Sequence, residues 1–130
     1  MTRINLVDPA YLSNEHLGAE YRELPRIFNL VRAVQAKGLV PSDLKISTSY
    51  TLGTGHVRFF YNKLKWLQRR QQAIIQECLK RGRVVNFSDV EQLTVGIEKH
   101  WLGEWSPSRE EIKINIARIN ERGGLRKENE

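Results

Sequence analysis

Cysteine is nearly absent. The 130-residue chain holds one, Cys78, which excludes an internal disulfide and leaves no second thiolate for a zinc cluster, so packing is its expected role. The three histidines, His16, His56 and His100, are far apart and show none of the short spacings of metal sites, so no metal is expected. No run approaches the roughly 20 apolar residues of a membrane span. The start lacks the charged-then-apolar pattern of a signal peptide, and a cytosolic location is expected, that of a host cell if the protein is viral. Internal repeats, low-complexity tracts and linkers are missing too. At 15.1 kDa the chain suits one domain with an ordinary core and no room for a separate cofactor domain. That domain is expected over residues 1–123, with the charged residues 124–130 as a loose tail.

Positive charge, by contrast, is abundant and unevenly placed. The net charge is +6 and the pI about 9.7. Residues 58–83 contain Arg58, Lys63, Lys65, Arg69, Arg70, Lys80, Arg81 and Arg83 against only Glu77, so this segment alone carries +7 and the remainder −1. A concentrated basic stripe attracts polyanions by phosphate contact and counterion release, and nucleic acid is the commonest such partner. An anionic membrane surface or a merely solvated helix face has the same signature.

Hydrophobic periodicity predicts three main helices. In the first, from about Ser13 to Lys37, Leu17, Tyr21, Leu24, Phe28 and Val31 recur at helical steps, with Ser13 as N-cap and Gly38 as stop. Pro25 removes a backbone donor inside this pattern and predicts a kink. Away from the apolar stripe lie Glu15, His16, Arg22, Glu23, Arg26 and Asn29. Arg22 and Arg26, four apart, suggest an anion between them, or else a solvated face with Glu23–Arg26 pairing. The second helix is predicted from Val57 to Arg81, with Phe60, Leu64, Leu67, Ile74, Cys78 and Leu79 inside, the basic residues outside and Gly82 ending it. Gly53-Thr54-Gly55-His56 before it reads as a tight turn; it lacks the lysine and spacing of a nucleotide-binding loop. In the third segment, Ser106 to Gly123, Ile112, Ile114 and Ile116 alternate like a strand while Ile112, Ile116 and Ile119 have helical spacing. Pro107 in an early helical position and the capping pair Ser108 and Glu111 favour helix, which places Arg118 and Arg122 on one outer face. Trp101 and Trp105 either stack on bases or lock a loop onto the core. The expected fold is all-α, a compact single domain with irregular connections.

The amino terminus offers chemistry of its own. A small residue at position 2 permits removal of Met1, exposing the α-amino group of Thr2, a nucleophile with a pKa of about 7.7 to 8. Neighbouring arginines lower that value, and a carboxylate can move protons for imine formation and elimination. The plain alternative is a frayed terminal residue.

Several runs together resemble the pyrimidine-dimer DNA glycosylase family: Met1-Thr2-Arg3-Ile4-Asn5-Leu6, His16-Leu17, Ala19-Glu20-Tyr21-Arg22-Glu23-Leu24-Pro25-Arg26, Leu52-Gly53, Gly55-His56-Val57, Phe59-Phe60-Tyr61, Glu77-Cys78-Leu79-Lys80-Arg81-Gly82, and more weakly Ala117-Arg118 with Arg122. The likeness spans most of residues 1 to 123. It implies a helical, cofactor-free enzyme acting on double-stranded DNA that contains cyclobutane pyrimidine dimers or abasic sites; a monomer is expected. The resemblance implies Thr2 as nucleophile and Glu23 as the carboxylate that stabilises the sugar imine and moves protons. Arg22 and Arg26 would grip phosphates, Arg3 and His16 complete the pocket, and Arg118 and Arg122 hold the DNA backbone. Two departures stand out. No Phe, Trp or Tyr follows Trp105, where the family pattern runs on into an aromatic-rich segment, and Glu15 occupies a position where the family pattern has an amide. They motivate an alternative, a lyase for abasic or other damaged sites with weak dimer activity. A non-catalytic helical DNA-binding protein is the alternative of a different class.

Overall fold

A computed structural model describes residues 3–127, and within them five α-helices and four short 3₁₀ turns follow one another without a strand. α1, Asn14–Glu23, starts where the Ser13 hydroxyl accepts the His16 N–H at 3.2 Å, satisfying one of the donors a helix start leaves free. The segment expected as one helix kinked at Pro25 is two helices, α1 and α2 (Pro25–Ala36), meeting at Leu24. Leu24 keeps helical dihedrals (φ −55°, ψ −44°), but Pro25 has no N–H with which to continue the ladder. Leu17, Leu24, Phe28 and Val31 are buried as the periodicity predicts.

The helix predicted from Val57 to Arg81 is also two, which corrects its start. α3 is a single turn, His56–Phe59, and α4 is Leu64–Lys80. Between them the chain leaves helical dihedrals at Lys63 (φ −129°, ψ 36°), and the Gly103 carbonyl accepts the Lys65 N–H at 3.2 Å. A Cβ at Gly103 would collide with the Asn62 carbonyl, so this close approach requires glycine. Leu79, predicted inside, is 52% exposed.

The basic residues of this region are not all outside either. Arg70 pairs with Glu20 at 2.8 Å and Arg81 with Glu77 at 2.8 Å, all four side chains buried. Lys63 donates to the Phe59 carbonyl and to Asn62 Oδ1, each at 2.9 Å, and Arg69 pairs with Glu104 at the surface. Arg83 donates to the Asn14 carbonyl at 2.7 Å; five of the eight cations therefore have partners within the protein, and the segment is not one free polyanion-binding stripe.

The last helix, α5, runs from Arg109 to Glu121. Ser108 and Glu111 form the predicted capping box, with Pro107 ahead of the cap instead of in the first turn. Of the helical stripe Ile112, Ile116 and Ile119 only Ile119 is buried: it points inward with Glu111 and Asn115, spaced by four, while Ile112 is half-buried and Ile114 and Ile116 are exposed. Burial disfavours the Glu111 carboxylate, but N–H donors of Ser108 and Tyr50 outweigh it and lower its pKa.

The main core gathers residues of all five helices and the amino-terminal segment. Phe59, Phe60, Trp66 and Trp105 make mutual edge-to-face or stacked contacts at ring separations of 4.9–5.8 Å, and Trp101 is wholly buried. Trp101 and Trp105 thus lock the 3₁₀-rich region onto the core, Trp101 wholly buried and Trp105 half-buried. In the segment expected to be a tail, the Gly124 carbonyl accepts the Ser13 N–H and Arg126 N–H donates to the Tyr11 carbonyl, each at 2.7 Å, beside an isolated antiparallel bridge from Leu12 to Leu125.

Removing one member of a buried pair strands a charge in a low-dielectric interior, at a cost of about 3–5 kcal/mol. Arg70→Ala should lower the unfolding free energy by about that amount in urea titration, whereas Arg69→Ala, which breaks an exposed pair, should change it by less than about 1 kcal/mol.

Candidate active site

The amino-terminal segment is extended and threads into the interior, where it lacks sheet partners and must satisfy its polar groups with side chains. His56 Nε2 accepts the Ile4 N–H at 2.8 Å, the Tyr50 hydroxyl donates to the Ile4 carbonyl at 2.9 Å, and Asn115 Oδ1 accepts the Leu6 N–H at 2.6 Å. Asn115 Nδ2 donates to Asn5 Oδ1, and Asn5 Nδ2 to Glu20 Oε1, both at 2.9 Å. Arg70 closes the chain, reaching Glu20 with two nitrogens and the Val7 carbonyl with a third. Helices far apart in sequence thereby fix the path of residues 4–7.

His56 is held by this arrangement as a neutral ring. Gly53 (φ 74°) and Gly55 (φ 89°) adopt left-handed conformations ahead of it, which turn the chain inward. Its Nδ1–H donates to the Thr51 carbonyl at 2.8 Å. The Gly-rich turn thus supplies a buried structural histidine and is a tight turn, as expected. Burial, assisted by the charges of Arg3 and Arg118, lowers the His56 pKa from 6.5 to about 4. Tyr50, wholly buried beside it, has a raised pKa for the same reason, burial.

Where this segment emerges at Arg3, a cavity of about 460 Å³ opens between α1 and α5. Arg3, Asn5 and Glu15, His16, Glu20 and Glu23 of α1 line it, with Arg118 and Ile119 of α5 and Arg122 just beyond. Of the residues singled out in the sequence, Arg3, His16, Glu23, Arg118 and Arg122 are brought together. Arg22 and Arg26 are exposed on neighbouring faces and do not line the cavity. Thr2 lies outside the described residues. Sequence reasoning gave no role to Asn5, Glu20, His56 and Asn115; the first three stand in the runs that carry the family resemblance, and Asn115 has no such signal.

Two carboxylates on α1 have opposite fates in the cavity. Glu20 accepts from Asn5 and from Arg70, whereas Glu23 has no hydrogen-bond or ion-pair partner among the described residues. The positive charge is similarly underused. Arg3 Nη1 is buried without a hydrogen-bond partner among the described residues. Burial lowers the Arg3 pKa first, and Arg118 and Arg122 lower it further by repulsion. Among the described residues Arg118 reaches only Glu121, at 3.9 Å. Three arginines, Arg3, Arg118 and Arg122, converge on a cavity that Glu15, Glu20 and Glu23 also line, with Glu20 already paired to Arg70, so cationic groups there remain available to an anion. His16 Nδ1 lies 3.3 Å from the Ser13 hydroxyl, and its ring packs so closely on Gly124 that a Cβ there would clash. No group of three metal-ligating side chains occurs among the described residues, and no helix there is long and apolar enough to cross a membrane.

The depressed His56 pKa sets a pH dependence. Between pH 6.5 and about 4 the unfolded chain binds a proton that the folded ring refuses, so stability present above pH 6.5 is lost as pH falls, by about 3 kcal/mol in all. In denaturant titrations across this window the wild type should lose more stability than His56→Gln, although the variant starts lower at pH 7. Parallel curves would refute a neutral His56.

A family model for pyrimidine dimer DNA glycosylases matches residues 1–90. The matched region contains the amino-terminal segment, α1, the His56 turn and Arg70, while Arg118 and Arg122 fall beyond it. With most of its length and one wall of the cavity inside that match, the chain belongs to the pyrimidine dimer DNA glycosylase family.

Proposed function

We propose that the protein excises ultraviolet-induced pyrimidine dimers and nicks the strand through an imine formed by the Thr2 α-amino group. The observation that carries this reading is the cavity at Arg3, the residue covalently joined to Thr2, where the Glu23 carboxylate, without a partner among the described residues, shares the lining with Arg3, Arg118 and Arg122. After removal of Met1 the amine attacks C1′ of the dimer's 5′ nucleotide. The bond from C1′ to the base breaks with its electron pair going to the base, which remains tied to its neighbour through the cyclobutane ring. Opening of the sugar, with a proton delivered to O4′, gives the imine. The imine acidifies C2′; loss of a proton there expels the 3′ phosphate, and water then releases the enzyme. Glu23 stabilises the cationic imine and carries the protons. Arg3, Arg118 and Arg122 neutralise phosphates beside the sugar, with Arg22 and Arg26 gripping the flanking backbone and His16 completing the pocket. Flipping out a nucleotide opposite the lesion makes room for these groups. No cofactor takes part.

A second reading, abasic-site cleavage with weak dimer activity, is favoured by one observation. No aromatic residue follows Trp105, and Trp105 itself is packed against Phe59, Phe60 and Trp66. An inert DNA-binding protein is disfavoured by the internal pairing of Arg70 and Arg81.

Borohydride trapping on duplexes with one cis-syn thymine dimer or one abasic site separates these readings. Dimer excision predicts an adduct at the Thr2 amine on both duplexes, abasic-site cleavage predicts it on the abasic duplex alone, and inert binding predicts none. Protein retaining Met1 should trap poorly. Glu23→Gln should bind either duplex within a few-fold of wild type while nicking falls at least about 10²-fold; unchanged nicking would sink the assignment.

A further inference from the structure

α1 carries a second cationic feature on the face next to the cavity. Gly18 lies in the middle of the helix, buried, and a Cβ built there would stand 2.7 Å from Arg83 Nη2 and 3.2 Å from Arg22 Nη1. Both guanidinium groups therefore lie against the same bare patch of helix. Glycine in a helix interior is destabilising relative to alanine, and at this position its missing side chain makes room for the two cations.

Arg83 is delivered to this point by the end of α4. Gly82 (φ 74°) is left-handed, its N–H donates to the Leu79 carbonyl at 3.0 Å, and the Arg83 N–H donates to the Cys78 carbonyl at 2.9 Å, the paired bonds of a Schellman cap. The side chain then crosses to α1, where Nη1 donates to the Asn14 carbonyl at 2.7 Å. That contact orients the guanidinium while Nη2 lies over Gly18. Neither Arg22 nor Arg83 has a carboxylate partner among the described residues, so the repulsion of two adjacent cations is not relieved within them. Neither Gly18 nor Arg83 lies in the runs that carry the family resemblance.

We propose that Arg83 and Arg22, closed together over Gly18, form a phosphodiester clamp that holds the DNA backbone beside the cavity, with Arg83 a binding residue that no family likeness assigns. The inference rests on the DNA-repair reading above. Two forked donors can share the non-bridging oxygens of one phosphate, and the helix backbone beneath them leaves the outward direction as the approach for the anion.

The test is equilibrium binding of the full chain to an undamaged duplex and to one abasic duplex over a range of salt. Arg83→Ala should raise Kd about 5–10-fold near physiological salt and reduce the slope of log K against log salt by about 1, the loss of one phosphate contact. Gly18→Ala should weaken binding in the same direction, a few-fold, because the new methyl pushes both guanidinium groups outward, while thermal stability is unchanged or raised. A folded Arg83→Ala with unaltered Kd and slope overturns the clamp, as does Gly18→Ala with wild-type affinity. If wild type binds and nicks DNA while these variants behave like it, only the clamp fails. If wild type binds no DNA at all, the clamp falls together with the function it rests on.

Discussion

The buried Glu20 carboxylate is the constraint to which the rest of the site is referred. An ionised group in the interior is tolerated only when its charge and lone pairs are met, and Glu20 is met by Arg70 of α4 and Asn5 of the amino-terminal segment. Slippage of α1 against α4 would separate these ions, so the pair fixes one register where apolar packing alone tolerates several. Glu23 is one turn further along the same helix. The register that satisfies Glu20 thus also fixes where Glu23 enters the cavity, and the Asn5 amide brings the amino-terminal segment to the same carboxylate. Arg70 has a structural duty that a reading of net charge alone mistakes for a surface one.

The same division of labour explains how two glutamates three residues apart can do different work. Glu20 spends its oxygen lone pairs on fixed donors of Asn5 and Arg70. Glu23 is free of such bonds among the described residues and faces cations. In the proposed reaction the proton carrier must be a carboxylate that the fold does not already use, and of these two that is Glu23.

What could be read from the sequence was whatever is decided locally. Ser13 and the Ser108–Glu111 box cap helices through neighbours three residues away, and both predicted caps are present. Pro25 interrupts a backbone ladder wherever it stands. Arg3, His16 and Glu23 were legible through a resemblance, and the geometry brings them to one cavity with Arg118 and Arg122. What could not be read depends on partners distant in sequence. Asn115 faces inward because Asn5, Leu6 and Val7 are there to be bonded, which turns α5 so that Ile114 and Ile116 face solvent. His56 is buried because Ile4 needs an acceptor. The helix predicted through Phe60 breaks because Gly103, some forty residues on, packs against Asn62.

The cationic surface has its own logic. Arg3, Arg118 and Arg122 repel one another across the cavity, and this cost is held in place by the packing of α1, α5 and the amino-terminal segment. A phosphate entering there relieves the repulsion without reorganising the protein, so the arrangement favours anions at little further conformational cost. Relief of that kind is blind to base sequence, because every nucleotide carries the same phosphate. Under the proposed function, selection for damage therefore lies in the DNA: a duplex that bends and unstacks readily at a lesion would bring a sugar into the cavity while its phosphates remain on the arginines, and an intact duplex pays more for the same deformation.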